Sequence, residues 1–201
     1  MFKPPRSAYV HIPFCHRRCF YCDFSIVPIG DEVKSTKGNG TKVINDYLYF
    51  LKKEILSIKH KSPLSTIYIG GGTPSILDPT QMAELISIFE IHYGIDYGAE
   101  ITMEVDPASF EEKDLYGFIN AGINRFSLGA QSFNNQVLKE AGRRHISKDV
   151  EEACYWMRNA KKDKFIKSWS LDLIQNLPKS TLSSWQKDLE KTISFCPPHI
   201  S

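Results

Sequence analysis

Short apolar runs rich in β-branched residues alternate with stretches of helical period along this chain, and that alternation constrains its fold more than any other feature. Residues 7–12, 65–69, 100–105, 125–128 and 169–174 read as strands. Between them apolar residues recur at three- and four-residue steps. Val43, Tyr47, Leu48, Leu51, Ile55 and Ile58 form one such stripe, and Met82, Leu85, Ile86 and Phe89 the next. Asp78 is placed to cap that second helix, with Pro79 in its first turn and Gln81 closing a capping box. A short helix is expected over 114–121, ending at Gly122. A longer one has Ser147 as its cap and Val150, Cys154 and Met157 on one face, and 181–195 is the last. Residues 199–201 begin a further strand.

Strands that each feed a helix lie parallel, because right-handed crossovers return the chain to the same edge. Parallel sheets need cover on both faces or closure into a barrel. A closed eight-stranded barrel takes about 250 residues, so 201 residues suit an α/β fold with a partial parallel (β/α)6 barrel, the chain stopping as the sixth strand begins. One domain is expected over 1–201, with an exposed loop at 29–41, rich in Gly, Lys, Ser, Thr and Asn, inside it.

Composition removes several function classes. Basic residues number 25 against 23 acidic, a net charge of +2, which gives no reason to expect nucleic acid or an anionic membrane as partner. There is no run of 18 apolar residues to span a bilayer. The opening Met1-Phe2-Lys3-Pro4-Pro5-Arg6 resembles neither a signal nor a transit peptide. Five cysteines, three of them crowded together, do not form a secreted disulfide framework. A reducing intracellular compartment is expected, cytoplasmic as read, with a mitochondrion or plastid left open if an address lies upstream.

The three crowded cysteines are Cys15, Cys19 and Cys22. Intervals of three and two residues let one tight loop turn three thiolates toward a common point. Three thiolates can hold three corners of a cubane iron-sulfur cluster, which leaves one iron open. With His11 or His16 they could instead close a four-ligand zinc site. Three unrelated buried cysteines are the bland alternative.

Together with the lead-in Tyr9-Val10-His11-Ile12-Pro13-Phe14-Cys15 and the trailing Tyr21-Cys22-Asp23-Phe24, the triplet resembles the radical S-adenosylmethionine (SAM) superfamily. Within it the chain is similar to the oxygen-independent coproporphyrinogen III oxidase-like family, on the branch of the HemW-type haem chaperones, over about half of the family's length. Oxidases of that family carry another cysteine two places after the third, where this chain has Phe24. The resemblance implies a radical SAM barrel, a [4Fe-4S] cluster on Cys15, Cys19 and Cys22, and SAM at its open iron. It also implies haem or porphyrin as ligand and a protein electron donor for the cluster. Reductive cleavage of SAM would release methionine and a 5'-deoxyadenosyl radical if the cluster assembles.

Active sites of β/α barrels lie at the C-terminal ends of the strands. The cysteine loop, Gly70 to Thr73, Glu104, Gln131 and Asp172 all fall there, each on a different strand end. The bland readings are a tight turn for the glycines and partnered structural carboxylates for Glu104 and Asp172. The resemblance implies that Gly71, Gly72 and Thr73 back the methionine part of SAM, and that Glu104 and Arg143 contact its charged groups. It further implies that Gln131 and Asp172 meet the ribose hydroxyls and that Tyr9 is a contact. No catalytic side chain is assigned beyond the cluster.

For Arg143 the competing reading is a solvated helix-end charge, with Arg144 able to take its role. His11 reads as a satisfied core histidine, the three tryptophans as packing, Cys154 as core and Cys196 as a buried thiol. Two features depart from the family. The turn after the fifth strand, Gln175-Asn176, lacks the usual glycine, and the His-Asn-Asn-x-Tyr-Trp motif associated with haem binding is absent. Three readings therefore compete: a HemW-like haem chaperone of the porphyrin pathway, an oxygen-independent coproporphyrinogen III oxidase, and an inactive truncated form.

Overall fold

The computed structural model describes residues 4–31, 39–59 and 62–201. Its main sheet has six strands in sequential order: β1 (Ser7–Ile12), β4 (Leu64–Gly71), β5 (Ile95–Val105), β6 (Arg125–Gln131), β7 (Ser168–Leu173) and β8 (His199–Ile200). Every neighbouring pair is parallel. Two short strands, β2 (Phe14–Cys15) and β3 (Val27–Pro28), pair across the cysteine loop. Between sheet strands run α1 (Asn39–Ser57), α2 (Pro79–Tyr93), α3 (Glu112–Asn120), α4 (Asn135–Glu140), α5 (Ser147–Lys162) and α6 (Leu182–Ser194). Sequential parallel strands joined by helices are the expected partial barrel, open between β1 and β8 among the described residues.

Successive side chains of a strand point to opposite faces, and here the faces differ in kind. One face contributes Ile67, Ile69, Met103, Phe126, Leu128 and Trp169 to a single apolar cluster with Leu85, Leu115 and Met157 of the helices. The other is polar. In register across it lie Tyr9, Tyr68, Thr102, Arg125 and Ser168, and one step further Ser127, Ser170 and His199. An eight-stranded barrel fills its interior with branched apolar side chains; this interior is built to meet polar groups.

The Asp78 capping box forms as expected: Gln81 N donates to Asp78 Oδ1 at 2.9 Å and Asp78 N to Gln81 Oε1 at 3.0 Å. Met82, Leu85, Ile86 and Phe89 are buried on one side of α2. Cys154, Val150 and Met157 are likewise fully buried.

Several expectations are corrected. Residues 32–38 of the anticipated 29–41 loop lie outside the described residues, and its last three residues already belong to α1. Ser147 is the first helical residue rather than the cap; the cap position is Ile146, whose N–H donates to Asp149 Oδ2 at 2.8 Å. β5 begins at Ile95, five residues early, on an exposed extension whose Asp96 and Gly98 disfavour a strand reading. α4 was not expected, being too short to show a period. Cys196 is exposed rather than buried, on a left-handed residue just past α6. The turn without its glycine is solved by Asn176, which takes the left-handed conformation at φ 62°, a conformation asparagine tolerates better than most residues.

Candidate functional site

Pro13 follows β1, and the chain passes through β2 into the cysteine loop, which stays compact through its own hydrogen bonds. Arg18 donates from Nη1 to the carbonyls of Cys22 (2.9 Å) and Phe24 (3.0 Å), so an exposed cation is spent on shaping the loop. Val27 N and Ile29 N donate to Pro13 O and Cys15 O. Cys15, Cys19 and Cys22 are all partly buried, and all three border one cavity of about 370 Å³ at the C-terminal ends of the strands. Burial pushes the Cys15 thiol up, opposed by the Thr73 hydroxyl, which donates to its sulfur at 3.3 Å.

The glycine turn at the end of β4 is glycine for internal reasons. A Cβ on Gly72 would lie 2.6 Å from Phe14 O and 2.9 Å from Pro13 O, and one on Gly71 would enter the His11 ring at 2.6 Å. The loop lies directly against the chain that leads to the cysteines. Its amides are taken: Gly71 N donates to Glu104 Oε2 (3.1 Å), Gly72 N to Ile12 O (2.8 Å) and Thr73 N to Phe14 O (2.8 Å). What the loop can still offer a ligand is carbonyl oxygen, the complement of an ammonium group rather than a phosphate.

Two carboxylates reach the same cavity. Glu104 accepts from the Tyr68 hydroxyl at 2.8 Å as well as from Gly71 N. Burial raises its pKa, the two hydrogen bonds lower it, and the charge of Asp172 raises it further; the net shift is upward. Asp172 accepts from Ser127 Oγ at 2.8 Å, and burial likewise leaves it raised. Its Oδ1 is buried without a hydrogen-bond partner, which carries a desolvation cost of about 1–3 kcal/mol until something donates to it.

Arg143 is not a solvated helix-end charge. Its side chain is 11% exposed and ion-pairs with Asp106, a residue the sequence reading passed over although it follows β5 at the expected strand end. Nη1 faces Cys19 Sγ (3.5 Å) and Tyr21 OH (3.3 Å), and Nη2 donates to Gly129 O at 3.0 Å. Burial would raise the Asp106 carboxyl, but Arg143 and His145 outweigh it and hold it well below the usual carboxylate range. Arg143 Nε is buried and unpartnered. Arg144 turns instead to Asp31, at 2.8 Å.

The cavity thus brings together Gly71, Gly72, Thr73, Glu104, Gln131, Arg143 and Asp172 with the three cysteines. Gln131 sits there on a left-handed backbone, φ 66°. Tyr9 is not part of its lining: 61% exposed, it stacks on Tyr68 with ring centroids 6.0 Å apart and reaches His11 Nδ1 at 3.1 Å. His11 is only partly buried, and its other nitrogen is bound to Ser25 O at 2.9 Å. His16 Nδ1 is 2.9 Å from Gly30 O. Both ring nitrogens of His11 are thereby engaged, whereas His16 uses only Nδ1. Among the described residues no three His, Cys, Asp or Glu side chains gather tightly enough for a single metal ion. A cubane instead takes each thiolate at a separate iron. The two orphaned atoms, an acceptor on Asp172 and a donor on Arg143, fit a ligand that carries both hydroxyls and a carboxylate, as SAM does.

An open parallel α/β barrel with a three-cysteine loop after its first strand, and polar groups on the following strand ends, defines a class. The model of the radical SAM superfamily matches residues 9–191, and the chain belongs to that superfamily, whose members bind a [4Fe-4S] cluster and SAM. It is 40% identical to the heme chaperone HemW of Synechocystis sp. over 198 residues, which is 98% of this chain and 46% of the relative. Identity to the oxygen-independent coproporphyrinogen III oxidase of Salmonella typhimurium is 32%, over 98% of the chain and 41% of that protein. The solved structure of coproporphyrinogen III oxidase (HemN) from Escherichia coli superposes with a TM-score of 0.82 at 28% identity, covering 96% of this chain and 43% of that one. The chain spans about half the length of the curated relatives it matches.

Proposed function

We propose that this chain is the cluster- and SAM-binding core, over 1–201, of a HemW-type haem chaperone. The observation that carries the reading is the convergence of three cysteines and five strand ends on one cavity. Cys15, Cys19 and Cys22 hold the cluster, and the carbonyls of the 71–73 turn and Glu104 receive the ammonium group of SAM. Arg143 contacts its carboxylate, and Asp172 and Gln131 meet its ribose hydroxyls. Tyr9 acts from the rim through Tyr68. A bound cluster would supply one electron, taken from a protein donor, for reductive cleavage of SAM; the chain itself supplies orientation.

A cavity of about 370 Å³ is at the small end of the range that encloses one drug-sized ligand, roughly 300–1,000 Å³. A haem or porphyrin, larger than SAM, is not accommodated there together with the cluster and SAM. The identity to HemW proteins supports haem over other cargo, and Phe24, 62% exposed beside the third cysteine, supports the chaperone over the oxidase. The second reading, oxygen-independent coproporphyrinogen III oxidation, is favoured by the superposition on the Escherichia coli oxidase. Both readings put the protein in a reducing compartment, the cytoplasm or an organelle. The test is anaerobic reconstitution with iron and sulfide. Four irons per chain are expected in the native protein and a large loss in Cys19→Ala; a Cys19→Ala protein that keeps four irons contradicts the ligand assignment. Adding coproporphyrinogen III to the full-length protein separates the two readings, since only the oxidase converts it.

A further inference from the structure

The turn Ala141–Gly142–Arg143, just past α4, also holds the cysteine loop. Phe20 N donates to Ala141 O at 3.1 Å, and Arg17 Nη2 donates to Arg143 O at 2.6 Å. The Phe20 ring covers Gly142, whose φ is 77° and on which a Cβ would stand 3.2 Å from Phe20. Arg143 then extends inward between Asp106 and the loop. One nitrogen is held by Asp106, by Gly129 O at 3.0 Å and by His145 Nδ1 at 3.3 Å; the other faces Cys19 Sγ and Tyr21 OH. His145 is itself fixed, buried at 1% exposure with Nε2 3.0 Å from Ala130 O.

A guanidinium gripped on one side by a carboxylate, a carbonyl and an imidazole has its opposite nitrogen, Nη1, held toward a cluster-ligand sulfur and the neighbouring Tyr21 hydroxyl. Hydrogen bonds to the sulfurs and nearby charge are what a protein uses to set an iron-sulfur potential. We propose that Asp106 and His145 are positioning residues that aim Arg143 at Cys19, and that the N–H···S contact they enforce raises the potential of the cluster. A reduced cluster carries more negative charge on its sulfurs, so a cation and donor beside Cys19 favour the reduced form. This inference rests on the cofactor reading above, and it concerns the cluster without SAM, so the two can fail separately.

The experiment is a potentiometric titration of the reconstituted protein in the absence of SAM, followed by electron paramagnetic resonance, for the native chain, Arg143→Met, Arg143→Lys and Asp106→Asn. The expected result for Arg143→Met is about a tenfold loss in the preference for the reduced form, which for one electron is a shift of about 59 mV to lower potential. Arg143→Lys restores the charge without the fork and recovers part of the shift. Asp106→Asn decides between aim and field. Removing a negative charge near the cluster raises the potential if Arg143 is merely a fixed charge, whereas loss of aim lowers it. A lower potential in Asp106→Asn supports the proposal; a higher or unchanged one overturns it. If Arg143→Met does not assemble a cluster, the lysine and asparagine variants carry the same decision. Native protein that takes up no iron overturns the cofactor reading and this inference with it, while a native cluster with equal potentials in all variants overturns this inference alone.

Discussion

Gly72→Ala is a single added methyl group with a calculable consequence. Gly72 does not have a positive φ, so the cost is steric rather than torsional, and the atoms in the way are backbone: Phe14 O at 2.6 Å and the carbonyl carbon and oxygen of Pro13 at 2.9 Å. No rotamer change relieves that clash. The glycine turn and the chain entering the cysteine loop have to separate, which costs about 1–3 kcal/mol as overpacking. Separation also weakens the bonds from Gly72 N to Ile12 O and from Thr73 N to Phe14 O, both 2.8 Å, at about 0.5–1.5 kcal/mol each. A total near 4 kcal/mol corresponds to a melting temperature lowered by about 8–16 °C for a chain of this size. Gly98→Ala is the matched control: φ is 84° but nothing lies within 4 Å of the new Cβ, so only the left-handed strain of about 1–2 kcal/mol applies. Thermal melts of both apoproteins under reducing conditions make the comparison. The reasoning is refuted if Gly72→Ala melts no lower than Gly98→Ala.

Glu104 and Asp172 are both raised by burial. Their carboxyls bind protons more readily folded than unfolded, so each favours folding fully below the ordinary carboxylate range and loses that contribution as pH rises through the folded value. Glu104→Gln and Asp172→Asn are therefore expected to stabilise the ligand-free protein at pH 7, with less difference at pH 4, while weakening SAM binding at least tenfold; urea melts at the two pH values and calorimetric titration with SAM check this. Burial pushes the Cys154 thiol up to about 12, so iodoacetamide should label exposed Cys196 in the folded protein and reach Cys154 only in denaturant, as peptide mass mapping would show. Asp188, buried on α6, accepts from Ser132 Oγ at 2.7 Å and Phe133 N at 2.8 Å and so fixes the loop after left-handed Gln131. Asp188→Leu should lower the melting temperature by several degrees and weaken SAM binding without reducing iron content.

The fold was legible because each βα unit carries its own local signals, as in the Asp78 and Gln81 box ahead of the Met82 to Phe89 stripe. The cysteine loop was legible from spacing alone, and strand ends located Glu104, Gln131 and Asp172. What the sequence hid was long-range. Asp106 and Arg143 stand 37 positions apart, and nothing local shows that one orients the other, although an Asp-Pro pair directly after a strand marks a place where barrel chemistry collects. The glycine turn was visible as a turn, yet the reason for glycine lies in the carbonyls of Pro13 and Phe14, some 58 residues earlier. α4 was missed because six residues span less than two turns; only Asn134, whose side chain accepts from Gln136 N and Val137 N, could have announced it. Cys196 was misplaced because burial of a lone cysteine depends on what packs over it, and among the described residues Cys196, past the end of α6, is exposed.

The central claim is that three cysteines and five strand ends form one site for a cluster with an open iron and for SAM. Electron paramagnetic resonance of the anaerobically reconstituted and reduced protein, recorded with and without SAM, tests it most directly. The account predicts a [4Fe-4S] signal that shifts when SAM is added; a cluster signal indifferent to SAM, or no cluster at all, would contradict it.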